Sequence, residues 1–95
     1  MAKRYLHIGF AWHGAPKTDE IQKLIDIPGN VETWMKYGGN CWIVYTVHDQ
    51  DAWANYLINH ISKQDSVIIV EITNLPHSNG QLPISMWEWF NEPRS

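Results

Sequence analysis

Apolar residues recur in two different periods along this chain, and the alternation between the periods predicts its elements. Residues 5–12 carry Tyr5, Leu6, Ile8, Phe10 and Trp12, a partial alternation that predicts a strand. Gly9 interrupts it, at a point where backbone or a ligand can approach closely. His13, Gly14, Ala15 and Pro16 end the strand. Thr18 is expected to cap a helix whose first turn holds Asp19 and Glu20 at the positive end of the dipole. Ile21, Leu24 and Ile25 then form one stripe to lay against a sheet, and Pro28 with Gly29 close the helix.

Residues 31–37 fit a helix by the spacing of Val31, Trp34 and Met35, but their Thr, Trp and Tyr content favours a strand. The turn cluster Gly38-Gly39-Asn40 and the apolar strand at 41–47 behind it make a hairpin the economical reading. A second helix is expected from Asp49 or Gln50, with Ala52, Trp53, Tyr56, Leu57, His60 and Ile61 on one broad face. Residues 62–65 form its polar exit. Residues 66–73 contain Val67, Ile68, Ile69, Val70 and Ile72, a β-branched run of the kind found in a central strand covered on at least one face. A loop at 74–80 with Pro76 and His77 follows. The tail at 83–91, between Pro83 and Pro93, reads as a short helix or an added edge strand.

The order β-α-β-β-α-β plus a terminal piece predicts an α+β chain with a ferredoxin-like split βαβ fold, in a single domain spanning 1–95. With 44% hydrophobic and 18% charged residues, the chain has the composition of a folded protein. Seven Lys and Arg against ten Asp and Glu give a formal charge of -3, so nucleic acid would meet no global positive field. The single cysteine, Cys41, excludes an internal disulfide, and no secretory leader is recognised, so a cytoplasmic location is expected. The longest apolar run, 67–70, is far below the about 20 residues of a membrane span, and no membrane role is expected.

Six Trp and four Tyr exceed the needs of a small core. Trp12, Trp34, Trp87 and Trp89 are the candidates for an interface or for base stacking. Interface anchoring is preferred, because single-strand binding pairs its rings with a positive groove and Lys3, Arg4, Lys17, Lys23 and Lys36 are scattered. His7 alternates with apolar strand residues and reads as a sheet-face histidine, and no His and Cys spacing suggests a zinc site. Cys41 reads as a small core residue.

Trp34 to Tyr37, the strand Cys41-Trp42-Ile43-Val44-Tyr45-Thr46, the second helix, the run Asp65 to Ile72 and the Trp87-Glu88-Trp89 ending together resemble the small SinR-like proteins. These are similar to the CRISPR-associated endoribonuclease Cas-two. The resemblance implies a ferredoxin-like homodimer in a bacterial mobile-element or defence setting. In its nuclease members it implies metal-assisted phosphodiester cleavage through an Asp at the end of the first strand. A hard cation such as Mg²⁺ takes oxygen ligands there and activates water. In this chain Phe10-Ala11-Trp12 fills the matching stretch, and alanine at 11 ligates nothing.

Two readings follow. One is a non-catalytic, homodimeric binding or assembly module that engages a protein partner or itself and needs no cofactor. The other is a Mg²⁺-dependent endoribonuclease or nucleic-acid binder in which His13, Asp49 or Asp51 replaces the missing acid. Against those roles, His13 reads equally as a solvated loop residue and Asp49 as a helix cap.

Overall fold

The computed structural model describes residues 2–72 and 84–92. In chain order these form β1 (Arg4–Ala11), α1 (Thr18–Ile25), β2 (Thr33–Tyr37), β3 (Cys41–Thr46), α2 (Gln50–Ile58), β4 (Ser66–Ile72) and α3 (Ile84–Asn91). The expected loop at 74–80 and the flanking Pro83 and Pro93 lie outside the described residues.

The four strands make one sheet in the order β2-β3-β1-β4, and every neighbouring pair is antiparallel. The chain is therefore α+β. The connection from β1 to β2 through α1 passes over β3, and the connection from β3 to β4 through α2 passes over β1. The hairpin between β2 and β3 turns at Gly38, whose φ of 65° suits a residue without Cβ.

Strand alternation gives the sheet two faces. On one, Leu6, Ile8 and Phe10 of β1 and Trp42 and Val44 of β3 meet Ile21 and Ile25 of α1 and Trp53 and Leu57 of α2 in one buried cluster. Here the stripe expected of α1 is buried, as are Trp53 and Leu57 of the face expected of α2, with Tyr56 and Ile61 packed beside them and Ala52 exposed. The opposite face is organised in rows set by register. Thr33, Tyr45, Tyr5 and Ile72 form the first row, Met35, Ile43, His7 and Val70 the second, and Tyr37, Cys41, Gly9 and Ile68 the third.

The tail is helical rather than strand-like, and α3 covers the first row. The Trp89 indole N–H donates to Thr33 Oγ1 at 3.0 Å, and its ring meets Tyr5 edge-on at 5.9 Å.

Three expectations need correction. The β-branched strand β4 is an edge strand, not a central one: β1 and β3 fill the middle of the sheet, and β4 pairs only with β1 among the described residues. Its sequence resembles a central strand because it is apolar on both faces, but only the side toward α2 is covered, and Ile68 and Val70 stand 62% and 48% exposed. Thr18 does not cap α1. It is the first helical residue, and its hydroxyl instead donates to the Gly39 carbonyl at 2.6 Å, tying α1 to the hairpin turn. Finally, α2 stops at Ile58, so His60 lies past the helix end, where its ring still meets Tyr56 edge-on at 5.7 Å.

Candidate functional site

Register decides which of the nominated residues can share a site. Arg4 pairs with Thr46, so the β3 to α2 junction lies at the starting end of β1, whereas His13 follows the far end of that strand. At about 3.3 Å per residue, the eight residues of β1 hold these ends roughly 25 Å apart. Asp49 and Asp51 therefore sit at one end of the sheet and His13 at the other. Among the described residues no three His, Cys, Asp or Glu side chains gather as a metal would require.

Each nominated residue has a local role. Asp49 is the N-cap of α2: its backbone is extended and its carboxylate accepts the Ala52 N–H at 2.8 Å. Asp51 is exposed in the first helical turn, where its charge complements the dipole. Ala11 is exposed at the end of β1 opposite Ser66. The exposed His13 donates its backbone N–H to Asp65 Oδ1 at 2.9 Å.

Asp65 is the residue that reading the chain by element missed. Its side chain is only 2% exposed, and besides His13 it accepts the Ser62 N–H at 3.0 Å and the Lys17 ammonium at 2.8 Å. These donors, led by the His13 N–H, hold its carboxyl well below the usual carboxylate range. A carboxylate so engaged has few lone pairs left for a metal. It is a tie that joins the exit of β1 to the exit of α2. The only sequence signal for it was an acid flanked by small polar residues before a strand, which is indistinguishable from a solvated loop.

A second cluster lies in the second and third rows of the open face. His7 Nε2 and the Tyr37 hydroxyl share a hydrogen bond, and Cys41 stands opposite Tyr37 in the register, its thiol directed to Asn40 Oδ1 at 3.7 Å. Gly9 makes the room. A Cβ there would come within 3.1 Å of the His7 ring, so the close approach anticipated at this glycine is that of His7 itself. Burial lowers the His7 pKa, and burial followed by Cys41 pushes Tyr37 up to about 12. At neutral pH both groups are uncharged, so the phenol donates and the imidazole accepts. The hydrogen bond ties β1 to β2 across the intervening β3, from the second row to the third.

The tryptophans do not share a surface. Trp12 stacks on Phe10 at 4.6 Å with the Lys17 ammonium 5.7 Å from its ring centroid. Trp34 packs on the helix-side core and donates its indole N–H to Asp26 at 3.0 Å. Trp87 and Trp89 are half-buried on α3, with Trp89 over the opposite face. Trp42 and Trp53 are buried outright. The aromatic surplus is largely spent on packing.

Beside the β3 to α2 junction, a cleft of about 210 Å³ is lined by Asn30, His48, Ala52, Trp53 and Tyr56. It is smaller than the roughly 300–1,000 Å³ of typical ligand sites. Its polar groups are turned inward: His48 bonds the Gly29 carbonyl at 3.0 Å, and Asn30 and Tyr56 both donate to the Leu24 carbonyl.

The remaining candidate is the edge at β4. Among the described residues, the exposed large hydrophobic side chains are Ile27, Ile58, Ile68 and Val70. Two of the four are on β4, and Ile58 is on α2, where it lines a groove with Ile61 and Val67 beside the same strand. Apolar surface gathered on one edge in this way marks an interaction site more than singly scattered residues do. No helix among the described residues is long and apolar enough to cross a membrane. No family model, curated protein or solved structure matches the chain.

Proposed function

We propose that this chain is a non-catalytic, homodimeric binding and assembly module with a ferredoxin-like fold, related to the SinR-like proteins and serving a bacterial mobile-element or defence system. The strand order β2-β3-β1-β4, with a helix in each crossover, supports the fold. The observation that carries the function is the apolar edge at β4 and α2, where Ile58 and Ile68 are each about 60% exposed to water. An assembly surface uses such residues, and a monomer gains nothing from them.

Sedimentation equilibrium over the micromolar range tests this reading. A concentration-dependent dimer is expected, and a strictly monomeric protein would sink it. The nuclease reading narrows to His13, because Asp49 and Asp51 lie at the opposite end of β1 from Ala11, where the missing acid would stand. RNA and DNA incubated with Mg²⁺ or Mn²⁺ should remain uncut by this chain and by its His13→Ala variant alike. Metal-dependent cleavage that His13→Ala abolishes would reverse the order of the two readings.

A further inference from the structure

We infer that two copies of this chain join β4 to β4, antiparallel about Ile69, so that their four-stranded sheets become one continuous sheet. The inference rests on the homodimer reading and deepens it by naming the surface and the register. Its first support is the mismatch noted above: β4 has the composition of a strand with neighbours on both sides but has one neighbour among the described residues. The outward-pointing N–H and C=O groups of an edge strand are met fully only by another strand or by water.

The second support is that β4, among the described residues, carries no device of its own that blunts this edge. Natural edge strands are protected by lysine, proline, bulges or short length. β4 runs for seven residues without lysine, proline or glycine, and pairs with β1 in unbroken register from Ser66 to Ile72. Its one charge, Glu71, is already bonded to Arg4 of the same chain at 3.0 Å and is not directed outward for a partner to neutralise.

The third support is self-complementarity. A two-fold axis requires that if residue i meets j, then j meets i. With Ile69 on the axis, Ile69 meets its own copy, Ile68 meets Val70, Val67 meets Glu71 and Ser66 meets Ile72, so all seven residues are paired. The two most exposed apolar side chains of the strand then cover one another. A shift that put Ile68 on the axis would leave Glu71 and Ile72 unpaired, and one that put Glu71 on it would set two carboxylates face to face. A one-residue slip would turn the open faces of the two copies to opposite sides and separate Ile68 from Val70.

The test is cross-linking by designed cysteines in a Cys41→Ser background, read beside sedimentation. Residues directly opposed in antiparallel strands have Cα atoms about 4.5–5.5 Å apart, within disulfide range. Ile69→Cys should therefore link to its own copy on mild oxidation, and Ile68→Cys combined with Val70→Cys should form two symmetric links. Hydrogen-bonded and non-hydrogen-bonded pairs alternate, so one of these two variants always falls at the closer spacing. Lys36→Cys on β2 is the control and should stay unlinked. A dimer by sedimentation with neither variant linked would overturn this interface and leave the homodimer reading standing, whereas a monomer would remove both. Circular dichroism of each variant separates a lost contact from a lost fold.

Discussion

Among the described residues, β2 and β4 close the two edges of one sheet, each pairing on a single side, and they present opposite surfaces. β2 is five residues long, carries Lys36, and is overlaid at its start by α3 through the Trp89 bond to Thr33. β4 is two residues longer, is β-branched along most of its length, and holds Ile68 and Val70 to solvent. Among the described residues, the first edge is covered by the chain itself and the second is not. Two strands in the same topological position can thus differ in how far the described part of the monomer covers them.

The largest effect should come from the face of β4 that is finished. Leu57 of α2 is fully buried in the cluster under the sheet, and Leu57→Ala should cost about 2–5 kcal/mol in urea unfolding. Ile68→Ala on the open face should move monomer stability by no more than about 0.5 kcal/mol. Equal costs would mean that β4 is covered on both faces within one chain.

Association should respond in the opposite way. Val70→Lys is expected to raise the dimer dissociation constant by roughly tenfold or more with the fold intact. Lys36→Ile would remove the protecting charge from β2 and should add higher-order association. If Lys36→Ile leaves the size distribution unchanged, the lysine is not what distinguishes the edges. Next in size is the α2 cap, remote from either edge: Asp49→Ala should cost about 1 kcal/mol and leave sedimentation unaltered. A change in association with this variant would tie the β3 to α2 junction to the interface.

The smallest effects at neutral pH are read as slopes. Asp65 has a depressed pKa when folded, so the stability it contributes is present above its unfolded value of 3.8 and is lost as pH falls below it. Asp65→Asn should flatten that acid limb of the melting temperature. Tyr37 is the reverse case: its folded value of about 12 lies above the ordinary 10.0, so stability is lost as pH rises between the two, and Tyr37→Phe should remove that part of the loss. Tyr37→Phe should leave self-association unaltered, since Tyr37 is on β2, at the other edge of the sheet.

The element order was readable along the chain because each element carries its own period. Ile21, Leu24 and Ile25 predict α1, and the Gly38-Gly39-Asn40 turn predicts the hairpin. Asp49 was readable as a cap, because a cap is a contact over three residues. The Asp65 tie and the His7–Tyr37 bond were not readable. Lys17 and His13 lie 48 and 52 residues from Asp65, and Tyr37 lies 30 from His7; the one local contact, from the Ser62 N–H, does not distinguish Asp65 from an ordinary loop acid.

The sequence by itself determined the kinds and order of the elements as far as β4, and the absence of a carboxylate at Ala11, since propensity, periodicity and identity are properties of short segments. Only the tertiary structure decided that the most β-branched strand lies at an edge, that His13 and Asp49 are a strand length apart, and that the tryptophans divide between the core and two faces. Strand order and register are chosen by which apolar faces can be buried together, and that choice is made by the whole chain at once.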